Sequence, residues 1–146
     1  MFKWLSKLFT REPATFADWF RAQNFRHFQP EEFEQYFRRP KNSYPPREMW
    51  GNIVPTLRIL DDLRATLGPI RVTSSYRSPA YNDMVGGMPR SFHKQFIACD
   101  IQCDGATPHE VYTILKAWRD AGKFKGGLGL YQTFVHVDTR GYNADW

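Results

Sequence analysis

Residues 91–101 read SFHKQFIACDI, and residues 134–138, farther along the chain, read FVHVD. Both stretches place imidazole or carboxylate side chains in apolar runs of the kind that form buried strands. A buried group of this type must be paired or must bind a metal, because burying it alone is costly. His93, Asp100 and His136 form a ligand set that leaves the last tetrahedral position of zinc for water, as in catalytic sites. The two stretches therefore predict a zinc centre built on a sheet.

The two cysteines of the chain, Cys99 and Cys103, lie in the strand predicted for residues 97–103. Alternation along that strand puts both of them on the face opposite to Asp100. Their close spacing along an extended chain does not suit a mutual disulfide. We therefore expect buried free thiols that point away from the metal, which fits synthesis in a reducing compartment.

The rest of the chain predicts an α+β fold with a small antiparallel sheet that carries the zinc site and with helices packed on one face. Helices are predicted at 15–24, from Pro30 onward, and at 46–68, 79–84 and 107–121; strands are predicted at 70–74, 97–103, 128–132 and 134–138. Pro55 should break the third helix near Val54. We expect residues 1–44 to form a helical N-terminal extension on a core of residues 45–146, in one compact domain overall.

Charge and composition limit the classes of partner. The chain has 20 Lys+Arg and 15 Asp+Glu, so its net charge of +5 favours anionic partners. It has no aromatic and basic motif for nucleic acid and no internal repeat, so we expect no nucleic-acid partner and a monomer. Residues 1–11, MFKWLSKLFTR, are a poor secretory signal, which indicates synthesis in the cytoplasm. They could form a basic amphipathic helix that packs on its own domain or contacts a membrane surface.

Several motifs occur together in an order and spacing that resemble the zinc D-Ala-D-Ala carboxypeptidase family, which is related to lysostaphin-type peptidases and the hedgehog domain. The motifs are SSYRSPAYN at 74–82, VGG at 85–87, SxH at 91–93, AxD at 98–100, and GxGxY at 127–131 followed by FVHVD. The resemblance covers roughly residues 45–146. It implies a peptidoglycan peptidase with zinc held by His93, Asp100 and His136.

The resemblance also implies roles for three further residues, each with a structural alternative. Arg77 matches the substrate-binding arginine, and a guanidinium suits a peptide carbonyl or a terminal carboxylate. It could instead fix its loop through a salt bridge. Ser91 matches a serine that contacts substrate but could equally cap the turn. Tyr131 matches a tyrosine near the active site but could equally be a core residue.

The sequence departs from the family pattern at two positions. Many members carry an acidic general base three residues before the last histidine, where this chain has Thr133. Asp138 shares a strand face with His136 and is the best remaining carboxylate, either as the base or as a partner that orients a ligand imidazole. The second departure is Phe96, where the family usually has glycine. This change affects a tight backbone position and could reshape one wall of the cleft.

These observations lead to three hypotheses about function. The first is a zinc metallopeptidase that cleaves peptidoglycan peptides as a D,D-carboxypeptidase or cross-link endopeptidase. It would be of the phage lysis type, made in the cytoplasm and released to act on the cell wall or in the periplasm. The second is a zinc-bearing binding module without hydrolysis, which the threonine at position 133 favours. The third is a membrane-associated adaptor that uses residues 1–11.

Overall fold

A computed structural model describes residues 11–146, so the amphipathic segment predicted at residues 1–11 lies outside the described residues except for Arg11. The α-helices are α1 (Phe16–Ala22), α2 (Glu31–Phe37), α3 (Val54–Leu67), α4 (Pro79–Met84) and α5 (Pro108–Asp120). Single 3-10 helices span Arg47–Ile53 and Phe92–Gln95. The strands are β1 (Ile70–Ser74), β2 (Ala98–Cys103), β3 (Gly127–Leu130), β4 (Val135–Asp138) and β5 (Ala144–Asp145). The predicted α+β class is confirmed.

Local sequence signals account for where most helices begin. Thr107 and Glu110 form a capping box at the start of α5, with hydrogen bonds of 3.2 and 3.3 Å between side chain and backbone. The Thr15 side chain caps α1 by accepting from the Asp18 amide. Because Pro55 lacks an amide proton, the helix predicted at 46–68 divides into the 3-10 helix Arg47–Ile53 and α3. The predicted break near Val54 is therefore present.

The strands form a single sheet in the order β1-β2-β4-β3-β5. The pairs β1-β2, β2-β4 and β4-β3 are antiparallel, and β5 runs parallel to β3 at the edge. The fifth strand was not predicted from the sequence. Its two residues, Ala144 and Asp145, are too few to show an alternating pattern.

The two faces of the sheet have different chemistry. One face is apolar and packs in the same core cluster as residues of α3 and α5: Ile70, Val72, Cys99, Ile101, Leu128, Val135, Val137, Leu57, Leu60, Val111 and Leu115. The other face carries Asp100, His136 and Asp138, all buried. Cys99 therefore lies on the face away from the carboxylates, and both cysteines are free thiols, as predicted, although Cys103 is half-buried rather than buried.

The N-terminal helices share this core. Phe16 and Phe20 of α1 and Phe33 and Phe37 of α2 are buried in the same cluster. The carboxylate of Asp61 accepts the backbone amides that precede α2: Arg26 at 2.8 Å and His27 at 2.9 Å. The core is thus continuous across residue 44. Among the described helices, none has the length and apolar character that crossing a membrane requires.

Phe96 has an unusual backbone and a large packing surface. It follows the 3-10 helix Phe92–Gln95 with φ 56° and ψ 47°, the left-handed region that glycine adopts most readily. Its ring is fully buried and lies 6.1 Å from that of Phe16, 5.8 Å from that of Phe37 and 6.1 Å from that of Tyr76. At a position where the resemblance leads one to expect glycine, the Phe96 ring thus packs on the aromatic residues of the N-terminal extension.

Candidate metal centre

Three separate elements bring the predicted ligands together. His93 lies in the 3-10 helix Phe92–Gln95, Asp100 in β2, and His136 in β4 directly opposite Asp100 in the antiparallel register. All three are buried, and one potential ligand atom from each lies within 4.8 Å of those of the other two. The sheet register and one short turn are sufficient to build the cluster.

In each imidazole, the nitrogen that points away from Asp100 already has a hydrogen-bond partner. The nitrogen that faces Asp100 is therefore the one that could bind a metal. His93 Nδ1 donates to the backbone carbonyl of Ser75 at 2.6 Å, because a carbonyl can only accept. His136 Nε2 donates to the carboxylate of Asp138 at 2.7 Å. When each imidazole is neutral, the lone pairs of His93 Nε2 and His136 Nδ1 therefore face Asp100 Oδ1, at 3.2 and 3.1 Å. Two imidazole nitrogens and one carboxylate oxygen converge, a donor set that suits zinc.

The protonation tendencies of the ligands also suit a cation. Burial alone would raise the pKa of Asp100, but its contacts with the imidazoles of His136 and His93 lower it well below its usual range. Burial lowers the pKa of His93, although Asp100 opposes that shift. For His136, burial is outweighed by Asp100 and Asp138, which raise the pKa. An ionised Asp100 and a neutral His93 are the forms that bind metal, and His136 would have to give up its second proton.

A cleft of about 860 Å³ lies over the cluster. Residues 85–92 line it, and so do the aromatic residues Tyr131, Phe134 and Trp146. The ligand cluster is therefore reachable by a substrate although each ligand side chain is buried.

Comparison with known proteins identifies the family. The profile described as Peptidase M15 matches residues 26–138. The chain belongs to the Peptidase M15 family. Searches of curated proteins and of solved structures found no match. The predicted resemblance to zinc D-Ala-D-Ala carboxypeptidases is confirmed at the level of the family, and the match begins before residue 45. The family and the ligand cluster together indicate a metallopeptidase.

Arg77 lies beside the ligands of this M15 peptidase. Its Nη2 is 3.4 Å from Asp100 Oδ2, and its Nε donates to Ser74 Oγ at 3.2 Å. Its Nη1 is 3.4 Å from Asn82 Oδ1. The guanidinium thus has the structural contacts of a loop-fixing residue and also lines the cleft. Both interpretations of Arg77 are compatible with this position.

Ser91 and Tyr131 both line the cleft of the M15 peptidase. Ser91 Oγ caps the turn by accepting from the His93 amide at 3.2 Å. Tyr131 is 41% exposed and stacks on Phe134 with ring centroids 4.3 Å apart. It is therefore a residue of the cleft wall, and the alternative of a core tyrosine is wrong.

Asp138 lies behind His136 and is not a cleft residue. It is fully buried, and its carboxylate accepts from the Gly127 amide at 3.0 Å and from Arg140 Nη2 at 2.7 Å and Nε at 2.9 Å. Burial alone would raise its pKa, but His136, Arg140 and Gly127 lower it well below its usual range. This geometry favours the orienting role for Asp138 over the role of base. Thr133 is exposed and lies outside the residues that line the cleft.

Sequence reasoning missed two residues of the site, Arg140 and Trp146, which both line the cleft. A signal existed for Arg140, because a carboxylate on a buried strand requires a cation nearby and Arg140 follows Asp138 by two residues. Trp146 gave no such signal. His27, half-buried, and His109, exposed, lie outside the cluster, as expected from their sequence context.

Proposed function

We propose that this M15 peptidase is zinc-dependent and hydrolyses peptide bonds of peptidoglycan, as a D,D-carboxypeptidase or a cross-link endopeptidase. The observation that carries the proposal is the convergence of His93 Nε2, His136 Nδ1 and Asp100 Oδ1 beneath an open cleft, with the other nitrogen of each imidazole held by Ser75 or Asp138. Nitrogen and carboxylate donors in this number match catalytic zinc sites. Family membership supports the same reaction class.

The residues of the chain would divide the work as follows. Zinc bound by the three ligands would polarise the scissile carbonyl and supply a water of lowered pKa. Arg77, beside Asp100 in the cleft, would bind a substrate carbonyl or terminal carboxylate with its planar guanidinium. Ser91 and Tyr131, which both line the cleft, would contact the substrate. Asp138 would keep the His136 proton on Nε2, so that Nδ1 stays available.

The charge of the protein supports a cell-wall substrate. Three arginines, Arg77, Arg90 and Arg140, line the cleft, and Asp100 is the one acidic side chain among the described residues that line it. The chain as a whole carries a net charge of +5. Peptidoglycan peptides carry free carboxylates, which a cationic cleft attracts. In this proposal the protein acts as a monomer on the wall or in the periplasm after release from the cytoplasm.

One observation favours a second candidate, a zinc-bearing module that binds peptidoglycan without cleaving it. Thr133 cannot accept a proton near neutral pH, and the Asp138 carboxylate is held by Arg140 and His136. Hydrolysis needs a proton acceptor for the attacking water. If the cleft offers none, the family fold would retain only its binding capacity.

Zymography on purified cell walls, followed by mass spectrometry of the released fragments, separates the two candidates. The zinc-loaded protein should release peptide fragments or free D-alanine, and Asp100→Ala should release neither. Co-sedimentation of the zinc-loaded protein with walls in the absence of any fragment would instead support the binding module. The mass of the fragments identifies the bond cleaved.

Contact of residues 1–11 with a membrane surface is a separate proposal, which rests on their basic amphipathic pattern. Liposome co-sedimentation with anionic vesicles tests it. The full chain should sediment with the vesicles and a chain lacking residues 1–11 should not. Equal sedimentation of the two chains would contradict the proposal.

A further inference from the structure

The edge strand β5 leads into Trp146, which lines the cleft together with Tyr131 and Phe134. Trp146 extends the pairing of β5 with β3: its amide donates to the Leu128 carbonyl at 3.2 Å, and its carbonyl accepts from the Leu130 amide at 2.8 Å. The backbone amide and carbonyl of Trp146 are therefore both hydrogen-bonded to β3. Its side chain lines the same cleft as the metal ligands.

A buried arginine from α5 holds this short strand in place. Arg119 is 4% exposed, and its Nη1 donates to the carbonyls of Gly126 at 2.8 Å and Ala144 at 3.1 Å. Its Nη2 pairs with Asp145 Oδ1 at 2.6 Å, and the Tyr112 hydroxyl donates to the same oxygen at 3.1 Å. A two-residue strand has few hydrogen bonds of its own, so these contacts set its position.

The indole of Trp146 is held beside a metal ligand. Its ring centroid is 4.9 Å from that of His136, and its Nε1 donates to the Tyr131 hydroxyl at 2.7 Å. Gly129 makes room for it, because a Cβ at that position would lie 2.6 Å from the indole Nε1. The indole is nonetheless 46% exposed. A partly exposed indole, with the Arg140 guanidinium 5.0 Å from its ring centroid, is thus fixed in orientation next to the ligands and lines the cleft.

We propose that Trp146 is a specificity-determining residue, the aromatic wall of a subsite for an apolar group attached to the carbonyl that reaches the metal. Arg119 is a positioning residue that acts through β5. The proposal rests on the proposed function in one respect, that ligands bind at a metal held by His93, Asp100 and His136. An immobilised, half-exposed indole favours such a group because burying apolar surface against it is favourable and little side-chain freedom is lost.

Two hydroxamates that bind metal by the same atoms test this wall without requiring hydrolysis. The cobalt-substituted protein is titrated with acetohydroxamate and with benzohydroxamate, and the visible absorption of cobalt reports binding. We expect wild type to prefer benzohydroxamate by roughly tenfold, the order that burying a phenyl group allows. Trp146→Ala should lose most of that preference, and Trp146→Phe should keep most of it. The intrinsic difference between the two probes cancels because only the ratio is compared between variants.

Gly129→Ala and Tyr112→Phe test the position of the indole rather than its presence. Gly129→Ala keeps the indole but displaces it, so it should lose the preference, and adding it to Trp146→Ala should cause no further loss. Trp118→Phe, which alters a partly buried indole on α5 away from the cleft, is the matched control and should bind as wild type does. Tyr112→Phe, which removes one contact to Asp145, should give a smaller loss than Gly129→Ala.

The outcomes separate this inference from the proposed function. The proposed role of Trp146 is overturned if Trp146→Ala leaves the probe ratio unchanged while it binds cobalt and melts near the temperature of wild type. Loss of the ratio in Trp118→Phe also overturns it. Absence of wall fragments from wild type contradicts the hydrolytic function but leaves the ratio measurable. Where wild type does hydrolyse peptides, Trp146→Ala should raise KM more than it lowers kcat.

Discussion

His136 donates from Nε2 to Asp138 Oδ2 at 2.7 Å, and the same oxygen of this fully buried carboxylate also accepts from Arg140 Nη2 at 2.7 Å. Asp138→Asn keeps the shape but weakens the acceptor for His136. We expect zinc affinity to fall by about 10–100-fold, as for other partners that orient a ligand histidine. Competition with a chromophoric chelator measures the affinity, and activity should return in excess zinc.

The exposed Asp104, which pairs with Arg71, provides the control for Asp138: Asp104→Asn should leave zinc affinity unchanged. Unimpaired affinity in Asp138→Asn, together with inactivity that zinc does not restore, would make Asp138 the general base. The loss of rate expected for a base is roughly 10²–10⁴-fold.

The ligand set predicts about one zinc per chain, through His93, Asp100 and His136. Replacing any one with alanine should remove most of the metal and lower the melting temperature, since metal bound only by the native state adds to its stability. Metal analysis by mass spectrometry and a thermal scan measure both effects. His109→Ala, on the exposed first turn of α5, should change neither. Full zinc retention by His93→Ala would refute the ligand assignment.

Arg77→Lys should keep the fold and the metal but lose most activity, because an ammonium cannot reproduce the planar fork of a guanidinium. Activity on cell walls and zinc content are measured on the same preparation. Arg71→Lys is the matched control, since Arg71 is 65% exposed and pairs with the exposed Asp104. Turnover near wild type in Arg77→Lys would show that Arg77 serves the loop alone.

The two thiols should react slowly in the native protein. Burial raises the pKa of Cys103 to about 11 and shifts that of the fully buried Cys99 upward as well. Only the thiolate attacks a disulfide reagent, so at pH 8 little of either group is reactive. A colorimetric thiol assay should show two thiols per chain in denaturant and far slower reaction without it. Rapid native reaction of either cysteine would contradict the structure.

Asp61 should be important for stability although it lies far from the site. Asp61→Ala leaves the Arg26 and His27 amides without their acceptor, at a cost of roughly 1–3 kcal/mol in the free energy of unfolding. Denaturant unfolding measures the change. Asp62→Ala removes only exposed ion pairs and should cost less than about 1 kcal/mol. Equal effects of the two substitutions would mean that Asp61 does not hold the extension.

The sequence was sufficient for features that depend on local signals. The alternation around Asp100 and His136 predicted their shared face, and the Thr107 cap predicted the start of α5. Strand β3 ends at Leu130 rather than 132, because the Tyr131 amide already turns to pair with Phe134. The point at which a strand turns back depends on which residues meet in space, and the periodicity of the sequence does not encode this.

The aromatic wall was not predictable for the same reason. Trp146 contacts His136 at the end of strand β5, which Arg119, on a helix distant in sequence, holds through Ala144 and Asp145. Neither the spacing nor the residue types in ADW at the end of the sequence indicates that contact. The role of Asp138 could be narrowed only after Arg140 was seen to occupy its carboxylate.

The backbone of Phe96 links the metal turn to the N-terminal helices. A left-handed residue other than glycine costs about 1–2 kcal/mol, and here the rings of Phe16 and Phe37 offset that cost. The turn that carries His93 is therefore stabilised by the packing of α1 and α2 on Phe96. By thermodynamic reciprocity, a metal that stabilises this turn would also stabilise the docked helices. Metal binding and the docking of the N-terminal helices would then be coupled, so that a change in one would change the other.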